Sequence, residues 1–149
     1  QTSEKWLDLA RRDAEALTKE RDEKEKNDLL YSMGLNPGDA VPQAMKSEMK
    51  RLTDAQSKRA TRSVRDGLDR IFVDLLALMR DVLTVQLGAQ TPLVNADLEI
   101  QIRATAQTTR PEQTLGKIAA IEKARDRIDR NVRDQMVLDS LAVTLQLPR

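Results

Sequence analysis

The sequence predicts an all-α protein, a helical bundle of about five to six helices. Its 149 residues include one Trp, one Tyr and one Phe, so the core must be built from aliphatic residues, which favours helices packed on helices over sheets. Apolar residues recur three and four apart along most of the chain, and no strand-like alternation competes with them. Charged residues make up 33% of the chain, with the signs nearly balanced. That balance is typical of solvated helix faces and disfavours a strongly basic nucleic-acid protein.

The first helix is expected over residues 3–33. Apolar residues three or four apart support it: Trp6, Ala10, Ala14 and Leu17. Residues 18–28, TKERDEKEKND, are charged on every face, so the middle of this helix has little to bury and is expected to project or connect. Gly34 is well placed as the left-handed residue that ends the helix, with Leu35 as its apolar follower.

The turn NPGD at residues 36–39 is the clearest break in the chain. It divides the chain into a charged N-terminal connecting helix, residues 1–34, and a helical domain, residues 41–149. The second helix is expected to hold Pro42 in its first turn and to run to about Gln86. A meeting of two helical segments midway along it remains an alternative.

A second break falls at LGAQTP, residues 87–92. Asn95 can cap the short helix that follows, expected over residues 96–107. Its apolar residues are four apart: Leu98 and Ile102. This spacing is typical of a helix with one buried face.

Two further helices close the chain. Thr109 and Glu112 have capping-box spacing around a proline, ahead of a helix that runs to about Arg130. Asn131 then has the character of a junction cap. The last helix is expected to end at Leu147–Pro148.

The stretch KRATRSVRDGLDRIFVDLL, residues 58–76, joins four basic residues to an apolar run. On a helix it carries the longest apolar face in the chain: Val64, Leu68, Ile71, Phe72, Leu75, Met79, Val82 and Leu83. More than half of the circumference is apolar at residues 71–79, so this helix should be central, with neighbours on at least two sides. From Arg62 on, arginines are followed one turn later by carboxylates, which stabilise a helix by about 0.2–0.5 kcal/mol per pair.

Five basic residues lack a full set of such partners: Lys46, Lys50, Arg51, Lys58 and Arg59. A helical nucleic-acid-binding module that uses segment 46–65 is therefore an alternative function, and these five are its candidate DNA contacts. No aromatic residue interleaves with them, so base stacking is not available to such a module. A solvated or protein-facing surface is the favoured interpretation.

Catalysis and cofactor binding are not expected. The chain has no Cys and no His, which excludes disulfides, thiolate and imidazole metal sites and imidazole proton shuttles. No phosphate loop or EF-hand spacing is present, so we assign no catalytic residue, cofactor or metal site. Gly67 and Gly116 lie inside predicted helices at a cost of up to about 1 kcal/mol each relative to Ala. Close helix approach and mere tolerance both remain open as reasons.

No apolar stretch is long enough for a membrane span, and no signal peptide is visible. The absence of Cys agrees with a reducing compartment. The chain opens at Gln1, inside a helix-like pattern, so we expect it to be a piece of a longer polypeptide.

Residues 56–83, QSKRATRSVRDGLDRIFVDLLALMRDVL, resemble the C-terminal region of the δ′ subunit of bacterial DNA polymerase III. The form they resemble is that of high-GC Gram-positive bacteria, which carries a K(S/R)RxTRxxRDxLDRxxxDLxxxxRD pattern. Residues 109–145 resemble the closing helices of the family. A second run is similar to its NVxxQLxLE signature: Asn131, Val132, Gln135, Met136, Leu138 and Asp139. Asp139 stands where Glu is more usual and Met136 where Leu is more usual.

The resemblance spans roughly residues 30–147 and implies a fold and a role. In this family, five AAA+ subunits form a clamp loader, and their C-terminal helical domains pack side by side into a collar. The chain would be the δ′ collar domain, a cytoplasmic oligomerisation module without chemistry of its own, within a holoenzyme that is a DNA polymerase. Its partners would be the γ/τ and δ subunits, with DNA and the sliding clamp reached only indirectly. No membrane partner is implied.

The resemblance also implies where the contacts lie. Candidate subunit-interface or family-motif residues are Arg59, Arg62, Arg65, Arg80, Asn131, Met136 and Asp139. The wide apolar face at residues 71–79 would be shared with neighbouring subunits. Exposed collar surface is expected to favour artificial self-association of the isolated piece.

Overall fold

A computed structural model describes residues 2–146, and over this range the chain is all-α, as predicted. It forms five α-helices and two short 3₁₀ turns, with no strand in the described range. The helices are α1 (Thr2–Ser32), α2 (Lys46–Gln86), α3 (Glu99–Thr108), α4 (Pro111–Asp129) and α5 (Asp134–Thr144). The 3₁₀ turns, Gln43–Met45 and Ala96–Leu98, lead into α2 and α3.

Gln146 (φ 58°) is left-handed at the end of α5. Three further helices end on left-handed residues that share one bonding pattern. Gly34 (φ 74°), Gly88 (φ 65°) and Asn131 (φ 61°) follow α1, α2 and α4. At each one its own N–H and the next N–H bond back to carbonyls of the last helical turn, which is the Schellman arrangement. Gly34 and Asn131 therefore end their helices as the sequence predicts.

Helix α2 is continuous from Lys46 to Gln86, which answers the question that the sequence left open. Its start differs from the prediction. Pro42 precedes the 3₁₀ turn Gln43–Met45 and is not in the first turn of the α-helix. The absence of a proline N–H is tolerated at this position because no helical carbonyl lies upstream to accept it.

The predicted caps of the two following helices are wrong. The Asn95 side chain makes no capping bond and donates instead to Asp81. At α4 the cap is shifted by one residue from Thr109, because a capping box needs the third helical residue and Pro111 is the first. Gln113 Oε1 accepts from the Arg110 N–H at 2.9 Å. Helix α5 ends at Thr144, and the predicted stop at Leu147–Pro148 lies outside the described residues.

The chain divides into two compact units. The first contains residues 2–8 and 68–146, and its core is aliphatic apart from one ring. The most deeply buried residues are Leu68, Phe72, Val82, Ile102, Ile121, Ile128, Val137, Leu138 and Leu141. Helices α3, α4 and α5 each contribute to this set, so the bundle is held by apolar burial from several segments.

The second unit, residues 9–67, is an antiparallel helical hairpin. Gly67 lies against Ala10, and the Gln56 side chain donates to the Asp22 carbonyl at 3.0 Å, so late residues of one helix face early residues of the other. No residue between 15 and 29 is buried, in agreement with the charge pattern. The predicted boundary between residues 34 and 41 falls in the loop of this hairpin.

Candidate functional site

The apolar face of α2 is covered at its ends and open in the middle. Leu68 and Phe72 are 0% exposed and Val82 is 2% exposed. Between residues 73 and 80 no side chain is buried, and Val73 is 45% exposed. Leu75, Leu76, Leu78 and Met79 are partly buried, so this stretch keeps some apolar surface in contact with water.

An apolar groove adjoins this open stretch, between α2 and α3. It holds about 250 Å³ and is lined by Leu78, Met79, Val82, Leu98, Gln101, Ile102 and Thr105. We call it the α2–α3 groove. Val82 of α2 and Ile102 of α3 form its buried floor. Ile100, which is also on α3, is 83% exposed. No charged residue is among its lining residues in the described part of the chain, so it suits an apolar side chain better than an ionic ligand.

A buried carboxylate holds the loop between α2 and α3. Asp81 is 2% exposed and accepts from Val94 N at 2.9 Å, from Asn95 N at 2.7 Å and from Asn95 Nδ2 at 2.9 Å. Burial alone would raise the pKa of Asp81, but these three bonds outweigh it and hold the pKa below its usual value. Its oxygens are occupied within the chain, so Asp81 is a positioning group for the loop.

The arginines of the resemblance have different environments. Arg59 donates to Asp22 and Glu25, so the expectation that Arg59 lacks carboxylate partners is wrong. Its partners are non-local, from the other helix of the hairpin, and spacing along α2 does not reveal them. Arg62 and Arg80 are exposed and Arg65 is half-buried.

The other four basic candidates are exposed on α2 but do not form one patch. Lys46 and Lys50 are one turn apart, while Arg51 and Lys58 are seven residues apart on a different side of the helix. Arg51 already faces Glu48 at 3.4 Å. The geometry therefore separates the residues that a phosphate-binding surface would need together.

Helix α5 gives the residues of the second motif different environments: Leu138 is buried, whereas Met136 and Asp139 are exposed. Asp139 Oδ1 accepts from Ser3 Oγ at 2.6 Å and from Gln135 Nε2 at 2.9 Å. The bonds from Ser3 and then Gln135 lower the pKa of Asp139. Leu138 is 0% exposed, but Met136 is 63% exposed. Met136 is thus available to a partner, whereas Asp139 is engaged with the start of α1.

Two polar links in the first unit were missed from the sequence. Gln86 Nε2 donates to Thr109 Oγ1 at 2.9 Å, and Gln86 Oε1 accepts from Thr114 Oγ1 at 2.8 Å. Arg125 forms a two-bond pair with Asp69, at 2.7 and 3.2 Å. Each joins residues more than 20 positions apart, and no local spacing signals such pairs.

Residues 2–146 contain no group of three or more acidic side chains arranged to hold a metal ion. A search of the same residues finds no helix with the length and apolarity needed to cross a bilayer.

The chain is similar to part of a known replication protein. DNA polymerase III subunit delta' of Bacillus subtilis (strain 168) is 32% identical to it over 80 residues, which is 54% of this chain and 23% of that protein. The chain thus matches less than a quarter of that relative's length. No family model matches the chain, and no solved structure matches it. The similarity supports the δ′ family named by the resemblance.

Proposed function

We propose that this chain is the collar domain of a clamp-loader δ′ subunit of the high-GC Gram-positive type. In this proposal it is a non-catalytic oligomerisation module of a cytoplasmic replication complex. It assembles with the collar domains of γ/τ and δ, and supports loading of the sliding clamp without touching DNA itself. The similarity to a δ′ subunit over 80 residues supports the family.

The observation that carries the proposal is the open apolar surface of α2 and α3. Residues 73–80 are not buried, and the α2–α3 groove is lined mainly by apolar side chains. Association is driven mainly by removal of such surface from water, at roughly 25 cal/mol per Å². A module whose work is to pack against neighbours needs this kind of surface, and an isolated monomer does not.

Co-expression of the full-length subunit with γ/τ and δ tests the proposal. We expect a defined assembly by light-scattering chromatography, weakened by Leu98→Glu, which places a charge at a lining residue of the α2–α3 groove that is 37% exposed. Leu17→Glu, at a residue that is 69% exposed on α1, is the control and should leave assembly unchanged. Failure of the unmodified subunit to associate would remove the proposal.

The nucleic-acid alternative rests on the exposure of Lys46, Lys50 and Lys58. It requires DNA affinity that falls steeply with salt, because each phosphate contact releases a counterion. Fluorescence anisotropy with a short DNA at 50 and 200 mM salt measures this directly, on the unmodified chain and on a variant with all three lysines changed to Glu. Affinity that is lost in the variant would favour the alternative over the collar.

A further inference from the structure

A second open surface lies between α4 and α5, away from α2. Two depressions of about 320 and 270 Å³ adjoin there and share Gly116 and Thr144. The lining residues that matter here are Gly116, Ala119, Ala120, Lys123, Arg127 and Ser140 in the first and Lys117 in the second. We call the two together the α4–α5 groove.

No contact among residues 2–146 explains a glycine at position 116. It lies inside α4, where Gly costs up to about 1 kcal/mol relative to Ala. A Cβ at Gly116 would meet no atom within 4 Å, whereas a Cβ at Gly67 would meet Ala10 Cβ at 3.3 Å. Gly67 is therefore explained by internal packing, and Gly116 leaves a shallow floor on which another backbone can lie close.

The groove is basic and not neutralised. Lys117, Lys123 and Arg127 line it and make no ion pair with any residue of the described chain. No carboxylate is among its described lining residues. Three acids of α4 are engaged elsewhere, since Glu122 and Asp129 act on Arg125 and Asp126 pairs with Arg130 at 3.1 Å. Unpaired cations beside a partly apolar floor are complementary to carboxylates on a docked partner.

Large apolar side chains are also exposed on the two helices that form the groove. Leu115 is 53% exposed on α4, and Met136 and Val143 are 63% and 54% exposed on α5. These apolar side chains would not contribute to binding a nucleic-acid phosphate backbone, because the contacts of that backbone are ionic and polar. A partner helix that has one apolar stripe flanked by acidic residues is complementary both to the cations of the groove and to the exposed apolar side chains of α4 and α5.

We propose that the α4–α5 groove docks an acidic amphipathic helix of a neighbouring protein subunit. The apolar stripe of that helix lies over Gly116 and its alanine neighbours, and its carboxylates pair with Lys123 and Arg127. The inference rests on the proposed function for the identity of the neighbour, a γ/τ or δ subunit. It adds a second docking surface with a different chemistry from the α2–α3 groove.

The test uses full-length subunits assembled with purified γ/τ and δ. Gly116→Leu fills the floor while improving helix propensity, so folding is preserved. The double variant Lys123→Glu/Arg127→Glu reverses the charge. We expect each to weaken assembly by about tenfold or more, the effect of losing one well-placed interface contact. The double variant Lys19→Glu/Lys24→Glu, at two exposed cations of α1, is the matched control and should assemble like the unmodified protein.

A photo-crosslinking residue at Ser140 in the purified assembly then identifies the docked segment. We expect a helical peptide with carboxylates three or four residues apart, and Lys substitutions of those carboxylates should restore assembly with the Lys123→Glu/Arg127→Glu variant. Such restoration requires direct pairing and would not follow from a loss of folding.

The outcomes separate the two proposals. If the unmodified complex forms and both groove variants assemble normally, the groove inference is overturned and the collar proposal stands. If the unmodified subunit fails to assemble, both are overturned. If the charge reversals leave assembly intact but abolish binding to a primed DNA, the surface is a nucleic-acid site and the docked-helix inference is wrong.

Discussion

The buried carboxylate of Asp81 stabilises the loop between α2 and α3 by accepting hydrogen bonds from backbone N–H groups of that loop. The Val94 and Asn95 N–H groups both donate to Asp81. These two N–H groups have no other acceptor among residues 2–146. An unpaired buried donor costs its full desolvation energy, about 1–3 kcal/mol. Asp81 therefore determines the path of the chain from α2 into α3.

The Asp81→Asn variant should be less stable by about 1–3 kcal/mol at pH 7, because its amide presents N–H groups to the donors of the loop. The bonds hold the folded pKa of Asp81 below its unfolded value. Its contribution is therefore complete above the unfolded pKa and is lost as the pH falls through the folded pKa. Urea unfolding should show the gap between variant and parent shrinking from pH 7 to pH 3. Asp74→Asn, at an exposed position of the same helix, should show no such gap.

Asn131, the left-handed residue at the end of α4, can be tested by substitution. Asn131 has φ 61°, a conformation that costs a residue with an ordinary Cβ about 1–2 kcal/mol. We expect Asn131→Gly to be more stable than Asn131→Ala by about 1 kcal/mol, because only Ala has a Cβ that disfavours the left-handed conformation. Equal melting temperatures for the two variants would contradict this assignment of the helix end.

Gly67 and Gly116 both lie inside helices, but Gly67 packs against Ala10 and Gly116 faces open surface. Gly116→Ala should raise stability by up to about 1 kcal/mol, because the added methyl meets nothing and helix propensity improves. Gly67→Ala gains the same propensity but places its methyl 3.3 Å from Ala10 Cβ, which is too close for ordinary packing. Thermal unfolding of both variants is the measurement. An equal gain at the two positions would show that the hairpin accommodates the methyl.

Local signals in the sequence were enough for much of the helical layout. Gly34 and Asn131 were predicted as helix ends because the left-handed conformation restricts residue type. Asn95 and Arg59 were misjudged because their partners, Asp81, Asp22 and Glu25, lie many positions away. Spacing along one helix shows which side chains can meet on that helix and contains no information about the helix opposite.

The candidate surfaces could be predicted only in part for the same reason. The apolar width at residues 71–79 was visible in the sequence, but its coverage depends on what packs over it. A lone carboxylate inside the run LMRDVL was the one signal for Asp81. The α4–α5 groove had no signal beyond Gly116, because its cations line it only once α5 lies beside α4.

At the scale of the whole molecule, the remaining apolar exposure decides how the chain behaves in solution. Ile100, Met136 and Leu115 are each more than half exposed, which favours contact between copies when no other partner is present. Contacts of this kind are weak and depend on concentration, since small interfaces leave little surplus after the entropy of association.

We expect the isolated chain to form reversible dimers at high concentration, and Ile100→Lys to shift it toward monomer. Ile100 is 83% exposed, so the substitution removes apolar surface from a contact without disturbing the core, and the unfolding midpoint should be unchanged. Sedimentation velocity across a concentration series measures the dimer, and Leu17→Lys on α1 is the control. If Leu17→Lys abolishes the dimer and Ile100→Lys does not, self-association runs through the hairpin and not through the exposed face of α3 that contains Ile100.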